Sequence, residues 1–152
     1  MKFALGWDHR GAERGRAVRD HLEAAGHETV AFGPEGEESW DYPEPSWRVA
    51  RAVADGGASF GVLLCGSGVG MSIAANKVGG VRAALACDAS AAEISRRHND
   101  ANVLCIAADR ADHAAALAMT DAFIAAPFEG GRHARRVEQI GAIERGDGVA
   151  RD

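Results

Sequence analysis

The stretch Phe60 to Lys77, FGVLLCGSGVGMSIAANK, constrains the chain more than any other. It opens on a short apolar run, Phe60-Gly61-Val62-Leu63-Leu64, with the length and make-up of a buried strand. Cys65 takes the last strand position. The glycine-rich turn Gly66-Ser67-Gly68-Val69-Gly70 follows at once, and a small-residue helical pattern runs from Met71 to Val78. Strand, tight turn and helix in this order form the kind of junction at which an open parallel sheet binds ligands. The turn's N–H groups and the helix N-terminus attract anions there.

The rest of the chain supplies the sheet around this junction. Lys2 to Trp7 reads as a first strand, ended by Asp8-His9-Arg10-Gly11. Ala12 to Ala25 carries Ala17, Val18, Leu22 and Ala25 at helical spacing, with Arg14-Gly15-Arg16 interrupting the pattern and Gly26 stopping it. His27 to Phe32 is a second strand. The polar loop Gly33 to Pro45 contains Trp40-Asp41-Tyr42-Pro43, and Ser46 to Asp55 is helical with Trp47, Ala50 and Val53 or Ala54 on one face. Val81 to Cys87 is a fourth strand, and Asp88 caps a helix from Ala89 to Arg97. His98-Asn99-Asp100 reads as a turn before a fifth strand, Asn102 to Ala107. Asp112 caps an alanine-rich helix to about Ala125, and Arg132 to Arg145 is a last helix with Val137, Ile140 and Ile143 as its apolar stripe. Five strands alternating with helices predict a three-layer α/β/α, Rossmann-like fold on a five-stranded parallel sheet. The last helix follows the completed sheet and is therefore expected to pack on a partner subunit.

With 152 residues the chain suits one domain, 1–152, with residues from about 146 as a flexible tail. A formal net charge of -5 gives no electrostatic case for nucleic acid. No apolar run approaches the roughly 20 residues that span a membrane, and the start turns charged too early for a signal peptide. The three cysteines, Cys65, Cys87 and Cys105, form no CxxC pair, which argues for reduced thiols in a cytoplasmic protein and against a metal knuckle.

A strand cysteine is ordinarily packed core, and Cys87 and Cys105 read that way. Cys65 differs by its place before a glycine turn and a helix N-terminus, a setting that lowers a thiol pKa. The turn is no dinucleotide fingerprint, because its third glycine comes one residue early, and no Walker loop, because Lys77 lies too far on. What remains is a cluster of backbone donors suited to an oxyanion or enediolate. Asp8 and His9 end the first strand, and the ends of strands one and three flank the switch point of such a sheet. His98 alone reads as a helix C-terminal dipole partner. Arg132, His133, Arg135 and Arg136 form either a solvated basic face or, after Gly130-Gly131, a phosphate site.

These pieces occur together, in order, in one family. The segments GWDHRG, DYP, CGSGVGMSIAANK, VRAAL, RRHNDANVL and FEGGRHARRVEQI, spanning about Met1 to Ile143, resemble the type B ribose-5-phosphate isomerases and their galactose- and allose-6-phosphate isomerase relatives. The resemblance implies aldose–ketose isomerisation through a cis-enediolate, without metal or cofactor, in a homodimer with shared sites whose pairing into tetramers stays open. It implies Cys65 as the base between C1 and C2, with Ser67 and the amides of Gly66, Gly68, Val69 and Gly70 holding the enediolate. His98, with Asp8 and Tyr42 nearby, would open the sugar ring, and Asn99 would hold a hydroxyl. His9, Arg110, Arg132 and Arg136 would bind phosphate, the last two from the partner chain. Ribose 5-phosphate to ribulose 5-phosphate, in the pentose phosphate pathway, is the default reaction. A hexose 6-phosphate or a tetrose phosphate is the alternative, and a non-catalytic sugar-phosphate sensor a further one. Trp7 and Arg10 stand where the family has small residues, and a Trp beside the crevice would reshape the sugar pocket.

Overall fold

The structure, a computed structural model, describes residues 1–36 and 38–149. Five strands form one sheet: β1 (Lys2–Trp7), β2 (Glu28–Phe32), β3 (Phe60–Cys65), β4 (Ala83–Ala86) and β5 (Val103–Ala107). Their order is β2-β1-β3-β5-β4 and all pairings are parallel. Six helices follow: α1 (Ala12–Ala24), α2 (Pro43–Ala54), α3 (Val69–Ala75), α4 (Ala89–Asn99), α5 (His113–Ala125) and α6 (Arg132–Arg145). No helix among the described residues is long and apolar enough to cross a membrane. The expected tail falls past α6, and its residues 150–152 lie outside the described ones.

Strand alternation sends side chains to two cores. Phe3, Leu5 and Trp7 join Val62, Leu64, Leu104 and Ile106 on the face covered by α1, α4 and α5, through Val18, Leu22, Ala92, Met119 and Phe123. Ala4, Leu63, Cys65, Val103 and Cys105 face α2 and α3, through Val49, Ala50, Met71 and Ala75. The three-layer expectation holds. Crossing from β2 back past β1 to β3 places the topological switch point between β1 and β3, where their C-terminal ends part.

Some local expectations are corrected. Helix α2 starts at Pro43, whose missing N–H suits a first helical position, and it buries Pro45, Ser46, Val49 and Ala50. Trp47, expected to share one face with Ala50, is 56% exposed while Ala50 is buried, because the Ser46 hydroxyl donates to the Met71 carbonyl at 2.8 Å and turns the Ser46 side of the helix inward. Cys87, expected in the core, is exposed beyond the short edge strand β4. His98 and Asn99 belong to the last turn of α4, and the turn is made by Asp100 at φ 47°. Asp100 is held in this left-handed conformation by Arg96 and Arg82, at 2.7 and 2.8 Å.

Trp7 does not reach the crevice. Its side chain is buried on the α1 and α5 face, and its Nε1 donates to the Pro34 carbonyl at 3.1 Å. Gly15 does not break α1; it is the socket for the indole. A Cβ on Gly15 would stand 2.4 Å from the Trp7 ring, closer than any real contact. The glycine costs α1 roughly 1 kcal/mol of helix propensity, which burial of the indole offsets. Gly15→Ala is therefore expected to destabilise the protein by about 1–3 kcal/mol through overpacking, although Ala is the better helix former. In a Trp7→Ser background the same change should become neutral or stabilising. Urea unfolding of the four proteins checks this, and an equal effect in both backgrounds would contradict the socket.

Candidate active site

Cys65 ends β3 in register with Ala107 of β5. The chain then leaves the sheet through Gly66, whose carbonyl accepts from the Asp109 amide at 3.0 Å, while the Cys65 carbonyl accepts from Ala108 at 2.9 Å. The loop after β5 thus pins the start of the glycine turn. Gly68 takes φ 73°, a conformation that glycine adopts without strain, and this turns its N–H back onto the thiol. That amide donates to Cys65 Sγ at 3.2 Å. Ser67 is exposed beside it, with its Oγ accepting from the Val69 amide at 3.3 Å.

The thiol pKa runs against the sequence expectation. Burial pushes Cys65 above the ordinary cysteine value, and the carboxylate of Asp8 adds to this. The amides of Met71, Gly68 and Ser67 oppose it without overcoming it. Helix α3 is seven residues long, so its dipole is weak beside the cost of putting a thiolate in the core. Cys65 at rest is a thiol whose anion already has donors in place. Cys105, fully buried on β5, is driven much higher by burial and is inert.

Around this junction the fold gathers several expected residues. Asp8 is buried at the end of β1, and its Oδ1 accepts from the amides of Arg10 and Gly11, both at 2.9 Å. The carboxylate is therefore fixed by its own turn. His9 is exposed, and its Nδ1 accepts from the Trp40 amide at 3.4 Å. The Tyr42 ring lies against Gly70, where a Cβ would come within 2.6 Å of it. Arg110 follows β5 and, with Ser67, Val69, Leu85 and Cys87, lines a cavity of about 300 Å³ beside the turn. Arg10 lies over Gly66 and pairs with Asp109 at 2.7 Å.

The remaining expected residues are elsewhere. Helix α4 leaves the C-terminal end of β4 at Asp88, whose side chain accepts from Ala91, and runs 11 residues back to the start of β5. At 1.5 Å per residue that is roughly 16 Å. His98 and Asn99 sit in its last turn, next to the N-terminal edge of the sheet, where the Gly61 amide donates to the Asn102 carbonyl. The expectation that Asp8 and Tyr42 lie near His98 fails within one chain. Arg132, on the first turn of α6, lies at this far edge, its Nε donating to the ring of His133, which stacks on His98. Arg136 follows one turn later and acts electrostatically on His133.

Sequence reasoning did not single out Glu129, and it read His133 only as part of a basic run. Glu129 and His133 surround His98, and only their place in space shows it. The His98 and His133 rings stack 4.1 Å apart and 4° from parallel, with Glu129 against both. These three are the one group among the described residues whose ligand atoms could reach a single metal ion. The geometry does not favour one. In-plane lone pairs of parallel rings cannot converge on a point, and Glu129 is already paired with Arg97. A larger hollow of about 690 Å³ lies between α6 and the approach to β4, lined by Val81, Ala84, Asn99, Ile140 and Ile143. It is remote from the thiol, and the α6 stripe along it is exposed, with Ile143 at 61%.

What such an arrangement can do is proton abstraction beside a carbonyl, since a buried thiol faces a nest of donors suited to a developing oxyanion. Known proteins with this architecture agree. A ribose-5-phosphate isomerase B of Escherichia coli is 43% identical over 143 residues, covering 94% of this chain and 96% of that one. The structure of ribose-5-phosphate isomerase B from Clostridium thermocellum superposes with a TM-score of 0.94 at 44% identity, over 96% of this chain and 99% of that one. The Mycoplasma genitalium enzyme, solved with bound ribulose-5-phosphate, gives 0.91 at 36% identity, over 95% and 96% of the two chains. The family described as Ribose/Galactose Isomerase matches residues 3–140, nearly the whole of the sheet and its helices, and the chain belongs to it.

Proposed function

We propose that the protein interconverts ribose 5-phosphate and ribulose 5-phosphate by moving a proton between C1 and C2 through a cis-enediolate. The carrying observation is the Cys65 thiol set against the Gly68 amide at the end of β3, in a chain of this family. Cys65 Sγ takes the proton from one carbon and returns it to the other. Ser67 and the amides of Gly66, Gly68, Val69 and Gly70 hold the enediolate oxygens, where donors fixed in advance are worth most. His98 opens the sugar ring, and Asn99 holds a hydroxyl. His9, Arg110, Arg132 and Arg136 bind the phosphate, because arginine matches its geometry in two-point contacts. Asp8 keeps the β1 turn in shape beside the thiol. The reaction belongs to cytoplasmic pentose phosphate metabolism.

Two copies complete each site in this reading. The thiol half and the His98 half of one chain lie at opposite edges of the sheet. A second copy can bring its His98, Asn99, Arg132 and Arg136 against the first copy's Cys65. The exposed apolar residues Val69, Ile73, Leu85, Ile140 and Ile143 supply a surface for such packing. A hexose 6-phosphate or tetrose phosphate is a second reading, since the family description covers ribose and galactose. Trp7, buried in the core, has no part in this choice; Arg10, over Gly66, does. A non-catalytic sensor would need the phosphate groups alone and has no use for the thiol and its donors.

A panel of four-, five- and six-carbon aldose phosphates should give the highest kcat/KM with ribose 5-phosphate, and a better hexose phosphate would move the assignment within the family. The pH profile tests the base. Only the thiolate can abstract the proton, and burial raises the thiol's pKa. So kcat/KM should climb with pH along a limb lying above the ordinary cysteine value of about 8.5. Cys65→Ala should abolish that limb and lower kcat/KM by about 10²–10⁴ while phosphate ligands still bind. Near-normal turnover in this variant would refute the role.

A further inference from the structure

Glu129 arrives at His98 from the loop between α5 and α6, where its amide donates to the Arg97 carbonyl at 3.0 Å. Its two carboxylate oxygens are divided. Oε1 accepts from Arg97, through Nε at 2.7 Å and again through a terminal nitrogen. Oε2 faces two imidazoles, with His98 Nε2 at 3.5 Å and His133 Nε2 at 3.7 Å. The Arg97 guanidinium holds the Glu129 carboxyl below the usual carboxylate range, so it stays an anion.

The two imidazoles do not compete equally for that oxygen. Arg132 Nε donates to His133 Nε2 at 3.4 Å. A guanidinium can only donate, so this nitrogen of His133 is an acceptor and carries no proton. His133 is buried in the first turn of α6. Burial, with His98 and Arg132 beside it, lowers its pKa and keeps the ring neutral. His98 is then the one imidazole able to present an N–H to Glu129 Oε2. Its Nε2 stands 3.5 Å from that oxygen, with the ring plane held by the stack.

Building on the reading that His98 opens the sugar ring, we propose that Glu129 and His133 are positioning residues for His98. The carboxylate keeps the proton on Nε2 of His98, the neutral stacked ring fixes its plane, and Nδ1 is left to do the work. In the step so served, Nδ1 takes the proton of the anomeric hydroxyl. The bond from C1 to the ring oxygen breaks as the C1 carbonyl forms, and the proton passes to the ring oxygen. No proton is gained or lost. Second-sphere carboxylates set histidine tautomers in this way at other sites.

Two measurements on the intact protein test this. In ¹H–¹⁵N long-range NMR spectra, with His98 assigned through His98→Asn, neutral His98 should carry its proton on Nε2. Glu129→Leu should shift part of that population to Nδ1, and a purely structural role would leave the tautomer signature unmoved. The second compares kcat/KM on ribose 5-phosphate with that on erythrose 4-phosphate, whose phosphorylated C4 oxygen leaves no sugar ring to open. Glu129→Leu and His133→Ala should each lose about 10–100-fold on the first, part of what a general acid or base supplies, and under about 3-fold on the second. His133→Phe, which keeps the stack, should recover most of the loss. An unchanged tautomer in Glu129→Leu, or equal losses on both sugars in that variant, would overturn the proposal. If His98→Asn itself loses both sugars equally, the ring-opening reading fails, and the NMR result still decides whether Glu129 sets the tautomer.

Discussion

In a parallel sheet every crossover helix must carry the chain back to the edge from which the strands start. This constraint shapes everything else in the molecule. Residues just after a strand, such as Asp8, Cys65, Ser67 and Arg110, collect at one edge of the sheet. Residues just before a strand, such as His98 and Asn99, collect at the other. The family motifs follow one another in sequence and are divided in space. A helix of 11 residues cannot be bent to reunite the two halves. In the proposed reading a second copy of the chain does so.

At the thiol edge the chemistry rests on opposing effects of similar kind. Burial disfavours the thiolate, and amides aimed at sulfur favour it. The balance leaves Cys65 protonated at rest, beside groups ready for the anion and for an enediolate. At the other edge, one carboxylate is shared between Arg97 and a pair of stacked imidazoles. Both edges place a titratable group against a fixed partner contributed by the turn, or the loop, that neighbours it. Asp100, in its left-handed conformation between Arg82 and Arg96, ends α4 directly after His98 and Asn99.

Much of this was legible in the residues. The apolar run ending in Cys65, the glycine turn and the capped helices at Asp88 and Asp112 carried the strand and helix assignments, because each depends on local backbone preferences. Features that depend on tertiary contact were not. Gly15 looked like a helix interruption until Trp7 was seen to fill the space it leaves. Trp7 looked like a pocket wall because its neighbour Asp8 is one, yet strand alternation turns it to the opposite face. The thiol's raised pKa follows from burial, which a linear motif does not state. Glu129 gave no signal and His133 none beyond a basic run, since the loop between α5 and α6 and the first turn of α6 bring them to His98.

The central claim is that each site takes Cys65 from one chain and His98 from another. Complementation between inactive variants tests it most directly. Cys65→Ala and His98→Asn proteins, each with turnover strongly reduced, are mixed in equal amounts under conditions that let subunits exchange. In a dimer with shared sites, a mixed pair has one doubly defective site and one intact site, so the mixture should recover about a quarter of wild-type activity by random pairing. Activity no higher than the mean of the two variants after full exchange would contradict the account.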